Sequence, residues 1–93
     1  MNTTPQATQD AAFRVIDAYY TLVNDVSAWV GLRRLREHLA DIDQATVNAA
    51  LTDLFKKDII SLISEANRKS LTDADRAATL LLAGDEKHLY RVD

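Results

Sequence analysis

Between Leu32 and Lys57 the chain gathers the side chains best suited to gripping a polyanion: Arg33, Arg34 and Arg36, then Gln44, Thr46, Asn48 and Thr52, then Lys56. Guanidinium groups meet phosphate oxygens through forked, charge-assisted hydrogen bonds, which position a protein on nucleic acid without reading its sequence. Amides and hydroxyls read base edges: Asn and Gln match the donor–acceptor pair of adenine, and Thr can meet the thymine methyl. Arg68 and Lys69 are a detached basic pair that would reach a neighbouring backbone or minor groove. These residues are the candidate contacts to double-stranded DNA.

The competing reading is a solvated helix face. Residues 32–57 set Arg33, Arg34, Arg36, Lys56 and Lys57 against Glu37, Asp41, Asp43 and Asp53, a net charge of +1 in a chain of −3. Residues 1–31 and 58–93 each carry −2. Asp41, Asp43 and Asp53 would repel phosphate, and the overall balance does not announce a nucleic-acid partner. One monomer offers about five phosphate contacts, too few for tight binding at physiological salt without dimerisation.

Residues for other chemistry are sparse. His38 and His88 stand 50 positions apart, outside any spacing used for metals or triads. Glu37 and His38 are neighbours on a helix and point in different directions. Cysteine is absent, which removes thiolate metal sites and disulfides and fits a reducing cytoplasm. Two glycines leave no loop to cradle phosphate. Asp73 and Asp75 resemble a carboxylate pair, but an acid three residues after Thr72 has the spacing of a capping box. The expectation is a protein that is not an enzyme, with no metal and no cofactor.

The elements that must carry these residues follow from spacing. Thr4 can cap a first helix with Pro5 at its first position, and Asp10 is the alternative cap. Residues 1–9 are therefore a flexible N-terminus or the start of that helix. Ala12, Ile16, Tyr19, Val23 and Val26 recur at helical spacing, and Phe13, Tyr20 and Leu22 widen the apolar surface toward either the core or a partner subunit. Asn24 to Ser27 end the helix. Trp29-Val30 reads as a short strand and Gly31 as a flexible corner.

Leu32, Leu35 and Leu39 then share one helix face, which leaves Arg33, Arg34, Arg36 and Glu37 outside. Asp43, or Asp41, caps the next helix. There Val47, Ala50, Leu51, Leu54 and Phe55 turn inward, and Gln44, Ala45, Thr46, Asn48, Ala49, Thr52, Asp53 and Lys56 turn outward. No glycine serves the turn at Lys57-Asp58, so Asp58 must hold an unusual backbone angle. Ile59 to Ile63 is a strand, and Ser64 to Ser70 a loop. Thr72 caps a helix from Asp73 to Ala83 that Gly84 closes. Asp85-Glu86-Lys87 turns the chain into a closing strand, His88 to Val92, which pairs antiparallel with the strand at Ile59.

Ninety-three residues, 47% of them hydrophobic, fit one globular domain that buries about two-thirds of its unfolded surface. No apolar run reaches the length of a membrane span, and the first residues do not form a secretory signal. A cytoplasmic location is expected, with no membrane partner.

The run Trp29-Val30-Gly31-Leu32-Arg33-Arg34-Leu35-Arg36, followed by Val47 through Ile60, resembles the winged-helix superfamily of bacterial regulators. In that family a strand leads into the first helix of a pair. The second helix carries an inward Ala-Leu-x-x-Leu pattern, here Ala50-Leu51-Thr52-Asp53-Leu54, and turns into the first wing strand. Asn67 through Ala78 also resembles a segment of small winged-helix proteins with no assigned function. The likeness covers residues 10–93 and consists of apolar spacing and turn placement. Asp58 replaces the usual turn glycine, and the recognition helix starts acidic. The resemblance implies a mainly α domain with a small antiparallel β-sheet: a winged helix-turn-helix with an extra short helix inserted in the wing. It also implies a small DNA-binding transcriptional regulator, working as a homodimer through its first helix and the Leu80-Leu81-Leu82 segment. The alternative function is a winged-helix module for protein–protein interaction, an adaptor or inhibitor that does not bind DNA.

Overall fold

Apolar side chains three and four apart build the first helix, α1 (Gln6–Leu22), in the computed structural model, which describes residues 5–25 and 28–93 and only the backbone of Arg68. The expected cap Thr4, the stripe position Val26 and the helix-ending Ser27 lie outside the described residues. Pro5 is the cap residue rather than the first helical position; it offers no side-chain bond, but its carbonyl accepts from Gln9 N–H at 3.0 Å. Ala11, Val15, Ala18 and Tyr19 form the buried face. Ala12, Ile16, Leu22 and Val23 pack at its margin, so the stripe is centred one residue before the expected one.

Strand β1 (Val30–Gly31) leads directly into α2 (Leu32–His38). Leu32, Leu35 and Leu39 point into the core as their spacing dictates. A short turn delivers the chain to α3 (Gln44–Lys56), which buries Val47, Ala50, Leu51 and Leu54. Asp43 occupies the cap position without making a side-chain cap bond. Gly31 has φ −66° and ψ 138°, angles open to any residue, with free space where a Cβ would stand. The corner therefore does not depend on glycine. Asp58, by contrast, sits at φ 60°, the left-handed conformation expected of a turn without glycine.

Strand β2 (Ile60–Ile63) and the last strand, β5 (Leu89–Val92), pair antiparallel with Ile60 opposite Val92 and Ile63 opposite Leu89. β5 also pairs with β1, Val30 opposite Tyr90, giving a three-stranded sheet in the order β1–β5–β2. Tyr90 therefore sits on the central strand beneath α1. Its ring lies edge-on to Tyr19 at 5.7 Å, and its hydroxyl donates to the Val15 carbonyl at 3.1 Å. Tyr19 donates in turn to the Ala28 carbonyl at 2.7 Å. Each ring buries a large apolar area while its polar tip stays bonded, which a buried tyrosine requires. Burial pushes the Tyr90 phenol well above its ordinary pKa.

The connection between β2 and β5 corrects one expectation. After a 3-10 turn (Arg68–Ser70), helix α4 covers only Asp73–Ala77. Leu80–Leu82 is a strand, β3, and Asp85–Lys87, expected as a turn, is its partner β4. Ala83 and Gly84 join them with φ 52° and 85°, the paired left-handed angles of a tight hairpin turn. Three successive leucines suit either periodicity, and the hairpin resolves them by alternation: Leu80 is buried and Leu81 is 68% exposed. The expected cap is present at the other end of α4. Thr72 accepts from Asp75 N–H, and the Asp75 carboxylate accepts from Thr72 N–H.

About half the chain is thus helical, with small antiparallel sheets. No helix among the described residues is long and apolar enough to cross a membrane. Leu51 is completely buried, so Leu51→Ala is expected to cost about 2–5 kcal/mol. Gly31→Ala is expected to add about 0.4–1 kcal/mol by restricting the unfolded chain. Urea denaturation midpoints check both.

Candidate functional site

The basic residues of α2 point outward from the core, but the connecting segment folds back to meet them. Arg33 binds Asp75 Oδ1 through Nε at 2.9 Å and Glu37 Oε1 through Nη1 at 3.0 Å. Arg36 donates from Nε to the Ala78 carbonyl at 2.8 Å and from Nη2 to Asn48 Oδ1. Its Nη1 is buried without a partner. Gln44, at the start of α3, donates to the Ala77 carbonyl at 3.3 Å. Three side chains therefore fasten α4 over α2 and the beginning of α3. Asn48, a candidate base-reading residue, is the acceptor that holds Arg36.

The electrostatics follow from these bonds. Two carboxylates raise the Arg33 pKa, Asp75 first and Glu37 second. Burial lowers that of Arg36, which still remains a cation at neutral pH. Asp75 is held below the usual carboxylate range, first by the Thr72 N–H, then by the Thr72 hydroxyl and Arg33.

The other candidate contacts are dispersed. Arg34 donates to the Leu22 carbonyl at 3.0 Å, at the end of α1. Thr52 bonds back to the Asn48 carbonyl at 2.9 Å, and Thr46 is half-buried beside α1. Lys56 and Lys69 are exposed. The side chain of Arg68 lies outside the described residues. Lys57, not one of these candidates, pairs with Asp53 at 2.9 Å.

A second surface brings together residues that spacing alone did not connect. The turn between α2 and α3 lies against α1, leaving a groove of about 850 Å³. Ile16 of α1 and Ile42 of the turn contribute its apolar floor, flanked by Phe13 and Tyr20. Phe13 is 72% exposed and Tyr20 58%, whereas Leu22, the third residue of that apolar excess, packs on the core. Asp10, Asp17, Asp41 and Asp43 line the rim. Arg14 crosses it to clamp both Asp41 oxygens, at 3.0 and 3.1 Å, a contact that raises the Arg14 pKa and lowers that of Asp41. The seven-residue interval between Phe13 and Tyr20 was the only sequence signal of this groove. Asp41 and Asp43 had read as capping residues.

The histidines remain apart. His38 is exposed on α2. His88 is buried, and its Nδ1 accepts from Glu65 N–H at 2.9 Å, a bond that ties the loop after β2 to the chain entering β5. Among the described residues no cluster of His, Cys, Asp or Glu is placed to hold a metal ion.

The contacts of Asp75 predict an acid-sensitive attachment of α4. Because its folded pKa is lowered from 3.8, its contribution is complete above that value and disappears as the pH falls below it. Amide exchange at residues 73–78 is expected to accelerate over that acid range before global unfolding. Asp75→Asn should produce the same acceleration at neutral pH. Arg36→Ala, which removes charge-assisted bonds to two elements, is expected to cost about 2 kcal/mol in thermal unfolding.

No protein-family model, curated protein or solved structure matches the chain.

Proposed function

We propose that this chain is a winged helix-turn-helix domain that acts by docking another protein, without catalysis. The element order supports the fold reading. A helix, a short strand and a pair of helices joined by a tight turn come first, and β1, β2 and β5 form a sheet in the order β1–β5–β2. Residues 64–88 occupy the position of a wing, elaborated by α4 and the β3–β4 hairpin.

The observation that carries the functional reading is the engagement of the arginine face. Arg33 and Arg36 hold α4, Gln44 joins them, and Asn48 is spent on Arg36. A DNA reader needs those groups free to meet phosphates and bases. Of the candidate cations whose side chains are described, Arg33 and Arg36 are taken up at the α4 junction, which leaves Arg34, Lys56 and Lys69 outside it. Three phosphate contacts give a salt dependence of about −3 in log K against log salt, far from that of a tight DNA binder. The α1 groove offers what a protein ligand uses instead: exposed aromatic side chains over an apolar floor. Fold alone does not decide between the two partners, so the argument rests on these surfaces.

The test is anisotropy with labelled mixed-sequence duplex DNA across a salt series, alongside chain variants Arg34→Ala and Lys56→Ala. No saturable binding is expected at about 150 mM salt. Tight binding with a salt slope steeper than about −5, reduced by about 1 in each variant, would overturn the docking reading and establish DNA as the ligand.

A further inference from the structure

We propose that the groove between α1 and the α2–α3 turn receives an amphipathic helix of another protein, one whose apolar stripe is flanked by lysine or arginine. The proposal deepens the protein-docking reading and rests on it. Phe13 and Tyr20 are two helical turns apart on α1, a separation of about 10 Å. That interval matches successive apolar side chains on a ligand helix that uses i, i+3/i+4 and i+7 anchors. Ile16 and Ile42 supply the floor on which such anchors would rest.

Charge selects the occupant. The rim carries Asp10, Asp17, Asp41 and Asp43 against Arg14, and the Arg14 charge is already matched by Asp41. Asp10, Asp17 and Asp43 form no salt bridge within 4.0 Å among the described residues; Asp10 accepts from the Gln6 amide, and Asp17 adds to the field at Arg14. A basic helix would complete these carboxylates at the edge of the apolar contact, where complementary charge steers encounter and fixes orientation. A second copy of this chain would bring an identical acidic rim against the first, an unfavourable juxtaposition. Nucleic acid and anionic lipid are repelled for the same reason. On the arginine face, Arg33 is paired with Asp75 and Glu37, and Arg36 is bonded to the Ala78 carbonyl and Asn48.

The experiment uses two synthetic peptides of about 20 residues with one leucine stripe at helical spacing, the polar face lysine in one and glutamate in the other. Titration into the isotopically labelled full chain should give at least tenfold tighter binding of the lysine peptide. Its largest shifts should fall on Phe13, Ile16, Tyr20 and Ile42. Phe13→Ser should weaken binding at least tenfold with an unchanged melting midpoint, since the side chain is mostly exposed. Asp17→Lys with Asp43→Lys should weaken it at low salt and less at high salt. Equal affinity for the two peptides, shifts centred elsewhere, or no binding of either would overturn the proposal. Sedimentation of the free chain covers self-association: a dimer abolished by Phe13→Ser would assign the groove to a second copy instead. Selection of a displayed random peptide library separates the two levels of the argument. Enriched basic sequences that compete at the groove support the proposal. Enriched sequences that bind another face overturn it while leaving protein docking intact, whereas the duplex DNA titration decides against docking itself.

Discussion

One guanidinium group sets the arrangement of the outer face. Arg36 leaves α2, reaches the Ala78 carbonyl at the end of α4, and binds Asn48 on α3. A partly buried cation is costly unless hydrogen bonds replace its hydration. Here two of its nitrogens are satisfied by elements that would otherwise have little reason to meet. Arg33 and Gln44 reinforce the same junction through Asp75 and the Ala77 carbonyl. Helix α4 is five residues long and buries no side chain completely, and a helix that short is marginal without tertiary support. Its capping box and these three tethers supply that support.

The same bonds alter the electrostatic character of the protein. A row of arginines reads as a cationic face when carboxylates distant in sequence are ignored. Asp75 and Glu37 neutralise Arg33, while Arg34 and Arg36 are taken up by neutral oxygens of Leu22, Ala78 and Asn48. The apolar surplus of α1 behaves in the opposite way. Ala11, Val15, Ala18 and Tyr19 complete the core, so Phe13 and Tyr20 are left over at the surface, beside a turn that contributes Ile42 and two aspartates. The proposed docking role follows from this contrast: Arg33 and Arg36 are held by internal partners, whereas Phe13 and Tyr20 stay exposed.

Much of the architecture was legible because it is local. The Leu32, Leu35 and Leu39 spacing requires an inward helix face. A turn without glycine forced Asp58 into the left-handed region. Thr72 and Asp75 satisfy each other's cap within three residues. The stretch from Leu80 to Leu82 is a strand where spacing suggests helix, because an apolar triplet is compatible with both periods; only pairing with Asp85–Lys87 distinguishes them. Gly31 suggests a conformational need that its angles do not show.

The residue pattern alone therefore determined the helices α2 and α3 and their inward faces, since each follows from side-chain periodicity within a few residues. Tertiary structure alone decided which polar groups remain available to a ligand. Arg33 meets Asp75 and Arg36 meets Ala78 across 42 positions in each case. Neutralisation of a charge depends on what lies within a few ångströms in space, and no one-dimensional count of cations and carboxylates contains that distance.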